Sequence, residues 1–336
     1  MTDRSPHVGI GMPVHNAERY LRDALESFLA QTYSRFELTI TDNASDDGTE
    51  SICREYASRD DRIRYHRSEL NVGAVRNFRR AFELSGGEYF AWAAHDDLRA
   101  PRFLEACVDA LERRPEAVLC STGIRIIDVD GNDIPESVWP PTTRPIEGPL
   151  RERVRALARA RYWYDFYGLT RRSALGRTRL PLPVWGFDVV VLLELLLQGG
   201  VAFVPEQLFW YRVFPEKQQS EVAHGLAGPG ERPVYSSWDE LTAELLAAIT
   251  RAPLPVRQRA TLALDLLRNF AFGNELVSRG IRADGFPSAR RALERGRPLR
   301  ALELGALAGA VTATRHVPAL LRAALRRSRQ RPPQRL

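Results

Sequence analysis

Two hydrophobic rhythms alternate along the first 130 residues. Short, nearly unbroken apolar runs stand at Val8–Pro13, Phe36–Thr41, Ile63–His66, Tyr89–Ala93 and Val118–Ile127. Between them apolar residues recur three or four apart, as in Leu21, Leu25, Phe28 and Leu29, then through Glu50–Ala57, Val75–Leu84 and Pro101 to Leu111. The first rhythm predicts buried strands and the second predicts helices with one core-facing side. Strands separated by single helices imply an α/β fold, a mostly parallel sheet flanked by helices. Asn16 is expected to cap the first helix, and Ala100 the one that Pro101 opens. Asp42–Gly48 and Asp130-Gly131-Asn132 read as turns.

Prolines cluster between Pro135 and Pro149 and predict a loop. Helix and strand signals then resume to Trp210, with Asp188–Gln198 the clearest helix. From Ser236 the pattern is helical: Leu241–Ile249, Val256–Val277, Pro287–Glu294 and Leu299–Arg326, with a kink expected at Pro318. The chain thus divides at about 130 and 232. Residues 1–130 and 131–232 read as two halves of one domain, and 233–336 as a C-terminal helical extension. No internal repeat stands out.

Composition narrows the class. An apolar fraction of 44% and a charged fraction of 27% are those of a globular protein, not of a disordered or collagen-like chain. Three cysteines, Cys53, Cys107 and Cys120, lie far apart and form no CxxC pair, so neither a disulfide framework nor a zinc site is indicated. The net charge of +6 is carried almost wholly by arginine, with Lys217 the single lysine and the excess late in the chain. No nucleic-acid signature accompanies it. No apolar run reaches the ~20 residues of a spanning helix, and Met1–His7 lacks the apolar core of a secretory signal. The expected location is cytoplasmic. Leu299–Leu325 combines apolar and arginine positions, which suits peripheral contact with the inner face of a membrane, packing on the catalytic domain, or a homodimer contact.

In an open α/β sheet, ligands bind beyond the carboxyl ends of the strands. Three polar stretches fall there: Pro13-Val14-His15-Asn16, Asp42 to Thr49, and Ala94-His95-Asp96-Asp97. Paired carboxylates such as Asp96 and Asp97 can hold a hard divalent cation, with phosphate oxygens completing its shell. They stand too early to cap the helix at Pro101. The loop after Asp42 could position a base and ribose, and is equally ordinary turn chemistry. Gly9 and Gly11 do not extend into GxGxxG, which argues against a dinucleotide fingerprint.

These stretches, in this order, resemble the inverting family-2 glycosyltransferases of GT-A fold. The resemblance rests on Met12-Pro-Val-His-Asn16, Glu18-Arg-Tyr-Leu21, Gln31-Thr-Tyr33, Asp42 to Thr49, Asn71-Val-Gly73 with Arg76-Asn77, Gly87-Glu-Tyr89 and His95-Asp-Asp97. It implies a nucleotide-diphosphate sugar as donor and Mg²⁺ or Mn²⁺ as cofactor. Pro13, His15, Asn16, Asp42, Asn43, Asn71, Gly73, Arg76, Asp96 and Arg212 would line the donor site, with Asp96 and Asp97 holding the metal. Trp185-Gly186-Phe187-Asp188 resembles the place of the family's catalytic base, which makes Asp188 that base. Phe209–Arg212 and Gln218–Ser220 resemble the strand and loop near the diphosphate. Two positions depart from the pattern: Ala94 stands where the family commonly has Asp, and Arg212-Val-Phe214 replaces an Arg-x-His. The acceptor would be a glycan, a lipid-linked glycan or a small molecule. Two alternatives remain open on the residues alone, a non-catalytic sugar-nucleotide or glycan binder and a sugar-phosphate nucleotidyltransferase.

Overall fold

All seven residues of Val8–Val14 (β1) are buried, as a strand covered on both faces requires. β1 sits at the centre of the first half of the sheet in the computed structural model, which describes residues 7–135, 146–160, 162–214 and 238–271, with Val277 and Ile281. It pairs in parallel with β2 (Phe36–Asp42) and β4 (Tyr89–Trp92), and β2 pairs in parallel with β3 (Ile63–Arg67). The connecting helices are α1 (Glu18–Leu29), α2 (Thr49–Arg59) and α3 (Ala74–Leu84). Each buries the stripe its spacing predicts, as α1 does with Leu21, Ala24, Leu25 and Phe28.

The sheet continues through β5 (Leu98–Arg99), β6 (Ala117–Ile127), β7 (Leu169–Arg171) and β8 (Gly200–Arg212), in the order β3-β2-β1-β4-β7-β6-β8-β5. β6 and β8 are parallel, whereas β7 runs antiparallel to both β4 and β6, and β5 antiparallel to β8. The expected α/β fold with a mostly parallel sheet holds: the long pairings are parallel, and the antiparallel ones, all made by β5 or β7, are short. α4 (Phe103–Arg113), α5 (Leu150–Arg159), α6 (Arg172–Leu175) and α7 (Phe187–Leu196) complete this part. α7 is apolar on every side and buried, with Asp188 and Glu194 its only charged residues. The three cysteines are buried thiols.

The chain splits into two compact units, Met1–Ser236 with Arg251–Leu254, and Ser237–Thr250 with Pro255–Leu336. Within the second, α8 (Trp238–Arg251) and α9 (Val256–Leu266) match the expected helical pattern, and a π-helical turn, Leu267–Ala271, follows α9. No described helix is long and apolar enough to cross a membrane. The expected helices Pro287–Glu294 and Leu299–Arg326, and with them the proposed membrane contact, lie outside the described residues.

Pro13 has a specific place in β1. Gly11 accepts the Ala93 N–H at 2.9 Å, so alternate β1 residues turn their backbone toward β4. Pro13 is the next such position, and the β1–β4 register ends at Gly11↔Trp92. The missing N–H therefore removes no ladder bond, and β1 and β4 part at their carboxyl ends.

The expected caps are corrected. Asn16 lies before the helix with φ 51°, and Ala17 precedes the first helical residue without a side-chain cap of its own. The capping groups come instead from the β2–α2 loop, about thirty residues away. Thr49 Oγ1 accepts the Ala17 N–H at 2.7 Å, Asp47 Oδ2 the Glu18 N–H at 3.1 Å and Ser45 Oγ the Asn16 N–H at 3.0 Å. The service is returned: Glu18 Oε2 accepts from Gly48 N–H, and Asn16 Oδ1 from Asp46 N–H, both at 3.0 Å. Polar residues that read as a turn are thus a clasp between two helix starts. Arg102, not Ala100, precedes α4, because Pro101 and Arg102 form a turn before the helix begins. Asp47→Ala removes acceptors from both Glu18 and Thr49. It should lower unfolding stability by about 1–2 kcal/mol, read as a lower urea midpoint at unchanged slope.

Candidate active site

The carboxyl ends of β1 and β4 part, whereas β1 and β2 stay paired through Val14↔Asp42, and the loops after these strands meet there. Asp42 closes β2, and its carboxylate is saturated. Oδ1 accepts from the Ser45 N–H (2.9 Å) and hydroxyl (2.6 Å), and Oδ2 from the Tyr65 hydroxyl (2.6 Å) and Arg67 Nη1 (2.7 Å). Burial alone would raise its pKa, but hydrogen bonds from Ser45, Tyr65 and Arg67 outweigh it and hold Asp42 below the usual carboxylate range. Asp42 is 0% exposed. Expected to line the donor site, Asp42 here bonds protein groups and ties β2, its loop and β3 together. Pro13 is likewise buried in β1.

Beside Asp42 lies a network of amides. Asn43 Nδ2 donates to Asn71 Oδ1 and Asn43 Oδ1 accepts the Val72 N–H, both at 2.8 Å. Asn71 Oδ1 also takes the Gly73 N–H, and its Nδ2 lies 3.2 Å from His15 Nε2. Gly73 has φ 82°, a left-handed conformation that glycine adopts without strain, and it turns the chain into α3. His15, Asn43, Asn71 and Gly73 are thus brought together, with Arg76 exposed on the first turn of α3. Asn16 belongs to the helix-start clasp.

The acidic pair follows β4. Asp97 is 2% exposed, and its Oδ1 accepts the Arg212 N–H at 2.9 Å. Oδ2 has no partner. Burial, with the neighbouring charge of Asp96, pushes its pKa up to about 8, against the attraction of Arg99 and Arg212. Arg99 is itself buried, 3.8 Å over the Phe209 ring, and burial pushes it down to about 10. Nε and Nη2 of Arg99 also lack partners. Burial prevails over attraction for both groups.

A carboxylate oxygen that is buried, bare and reluctant to ionise suits a hard cation, which would supply both a ligand bond and a compensating charge. Asp96 and Asp97 fit Mg²⁺ or Mn²⁺ in this respect. Among the described residues no cluster of three or more His, Cys, Asp or Glu stands ready to hold a metal alone. Such an ion would draw its other ligands from phosphate and water.

Arg212 does different work from the expected phosphate contact. Its Nε donates to the Asp96 carbonyl (2.9 Å), and Nη1 to the carbonyls of Asp128 (3.0 Å) and Val129 (3.1 Å). Its guanidinium lies 4.5 Å from the Tyr20 ring centroid. A buried fork engaged in this way braces the acidic loop.

Asp188 sits in the first turn of α7, after Gly186, whose φ of 76° turns the chain into the helix. It is half-buried and makes no cap. Burial pushes its pKa up to about 6, against backbone N–H groups that favour the anion. Two clamps fix this turn. Phe187 packs edge-on against Phe78 (5.4 Å) and Phe166 (5.7 Å). The preceding loop is held by Arg79, which donates to the carbonyls of Arg179 and Pro181 at 2.8 and 3.3 Å.

Two tyrosines that sequence reasoning missed connect the acids. Tyr167 ends a 3-10 turn, Tyr164–Tyr167, and Tyr211 lies at the end of β8. Burial raises both, and the charges of Asp97, Asp96 and Asp188 raise both further. The charges of Asp96, Asp97 and Asp188 thus all reach these two tyrosine hydroxyls. A signal existed for Tyr211, which immediately precedes Arg212; none marked Tyr167.

The family model described as glycosyl transferase family 2 matches residues 10–176. A putative glycosyltransferase, EpsE of Bacillus subtilis, is 35% identical over 127 residues, 38% of this chain and 46% of that protein. The chain spans less than two thirds of the length of the curated relatives it matches. Among solved structures, Staphylococcus aureus TarS 1–349 in complex with UDP-GlcNAc aligns with a TM-score of 0.61 at 15% identity, covering 88% of this chain and 79% of that one. The mannosyltransferase PcManGT of Pyrobaculum calidifontis, in complex with GDP-Man and Mn²⁺, aligns with a TM-score of 0.56 at 17% identity, covering 92% and 88%. At these identities the likeness is one of fold.

The acidic pair gives a pH prediction. A carboxyl whose folded pKa is raised binds its proton more tightly when folded, so its contribution to stability falls as pH rises from the unfolded value near 4 toward 8. Without metal, Asp97→Asn should unfold at a higher temperature than the unsubstituted chain, by a margin that widens from pH 5 to pH 8. Adding Mn²⁺ should stabilise the unsubstituted chain and leave Asp97→Asn unmoved. Thermal denaturation across that range checks both.

Proposed function

Since the chain belongs to glycosyl transferase family 2, we propose that it moves a sugar from a nucleotide-diphosphate donor to an acceptor hydroxyl, with inversion at the anomeric carbon. What supports this reading is that three unlike carboxylates act on the same two tyrosines. Asp97 is bare and hard to ionise, Asp96 stands beside it, and Asp188 is tuned to about 6 across the same two tyrosines. Sites that run acid–base chemistry near neutral pH are built from groups shifted in this way.

The nucleoside end of the donor is assigned to the amide network of His15, Asn43, Asn71 and Gly73, with Arg76 toward the phosphates. Asp96 and Asp97 would hold Mg²⁺ or Mn²⁺, which when bound offsets charge on the leaving diphosphate. Arg212 keeps the Asp96 carbonyl and the Asp97 carboxylate in fixed positions. Asp188 accepts the proton of the acceptor hydroxyl. The acceptor oxygen forms its bond to the anomeric carbon on the face opposite the diphosphate. The carbon–oxygen bond to the diphosphate breaks, and its electron pair leaves with the nucleotide. The ligands of the two solved neighbours, UDP-GlcNAc and GDP-Man with Mn²⁺, support a nucleotide sugar and a divalent ion as the chemistry.

Asp188 must be ionised to accept a proton, so the rate should rise with pH through about 6. Asp188→Asn should reduce turnover by about 10²–10⁴-fold while leaving nucleotide binding intact. A thermal-shift screen of UDP, dTDP, GDP and their sugars with Mn²⁺ finds the donor. Unchanged turnover of Asp188→Asn with that donor removes Asp188 from the base role.

A further inference from the structure

We propose that Arg79 and Glu194 are positioning residues for the reaction: from opposite sides they clasp the loop 178–181, and through it they aim Asp188. The proposal rests on Asp188 being the base and adds what holds it in register. α7 needs such a device. The helix is apolar on every side, so burial keeps it in the interior without fixing how it turns about its axis. A directed polar contact can set that register. Of its two charged residues, Asp188 makes no cap, and Glu194 makes the contact. Glu194 Oε2 accepts the Arg179 N–H at 2.7 Å and Oε1 accepts from Arg179 Nε, with the Glu194 side chain 12% exposed.

The other half of the clasp comes from α3. Nη1 of Arg79 donates both to the Arg179 carbonyl (2.8 Å) and to the Pro181 carbonyl (3.3 Å). Between those two carbonyls Leu180 has φ 57°, a left-handed conformation that a leucine keeps only where its surroundings impose it. Its N–H donates to Thr178 Oγ1 at 3.1 Å, and its side chain is buried. A strained residue pinned on both flanks is a rigid link, not a slack connection. α3 is itself tied to the sheet. Asn77 Nδ2 donates to the carbonyls of Thr41 (2.7 Å) and Val14 (3.3 Å), at the ends of β2 and β1. The helix starts from Gly73, in the amide network assigned to the nucleoside, and Phe78 meets Phe187 at 5.4 Å. One helix thus refers the placement of Asp188 to the strand ends beside that network.

Steady-state kinetics on the full chain test this. The donor is whichever of the UDP, dTDP and GDP sugars gives the largest thermal shift with Mn²⁺, and glycerol in water is the probe acceptor. Arg79→Ala should lower kcat by about 10–10²-fold, the scale of a group displaced by about 1 Å, and leave the donor KM within about two-fold. Glu194→Ala should show the same split. Arg79→Lys should recover most of the loss, because both carbonyls are served by the one atom Nη1, which an ammonium can replace. In an Asp188→Asn background, assayed at correspondingly higher enzyme concentration, Arg79→Ala should cost nothing further, since the group it aims is gone. An unaltered nucleotide thermal shift establishes that each variant is folded. Arg79→Gln, whose shorter side chain does not reach the loop, replaces Arg79→Ala if that chain is insoluble. Unchanged kcat in Arg79→Ala, a loss carried by the donor KM, or an equal loss in the Asp188→Asn background overturns the positioning role and leaves Asp188 as the base. Unchanged turnover of Asp188→Asn itself strikes the base assignment, and absence of turnover in the unsubstituted chain strikes the transferase reading.

Discussion

One arginine holds the site together. Arg212 ends β8, a strand bonded to both β6 and β5, and its atoms reach three other parts of the fold. Its N–H meets Asp97, its fork meets the carbonyls of Asp96, Asp128 and Val129, and its plane rests near Tyr20 of α1. A guanidinium buried this deeply is tolerable only because carbonyl oxygens and a ring face replace its water. The second half of the sheet thereby fixes the Asp97 carboxylate and the Asp96 backbone, both contributed by the first half. Without that brace the loop after β4 would have little reason to hold a bare carboxylate in the interior.

The aspartates illustrate how surroundings, and not residue type, decide chemistry. Asp42 receives four hydrogen bonds and is held below the usual range; Asp97 receives one and is pushed to about 8; Asp188 sits between them at about 6. The first is a structural tie. The second is left wanting a counter-charge that Arg99, itself incompletely satisfied, does not fully provide. Unrelieved burial of this kind collects where proteins do chemistry.

The strands β1 to β4 and the helices α1 to α4 were legible because each is long enough to show its own period. β5 and β7 were not, since two or three residues carry no period and exist only by pairing with distant strands. The helix-start clasp was misread for a related reason: capping residues were sought next to the helix, and they arrive from a loop thirty positions on. Among the site residues, the grouping of Asp96, Asp97 and Asp188 follows from motifs at strand and helix ends, where the fold collects polar groups. The roles of Asp42 and Arg212 could not be read, because a sequence does not record that a side chain's hydrogen-bonding capacity is already engaged. Tyr167 resembles a core aromatic in every local respect, and only the folded chain brings it within reach of the acids' charges.

Pro13 gives this architecture its resting shape. A residue without an amide hydrogen, turned toward β4 where that strand ends, prevents the two strands from zipping further. The gap between the two strand ends is set by covalent structure. A ligand bound beyond these strand ends would meet strands already parted, so none of its affinity would be diverted into breaking backbone pairing.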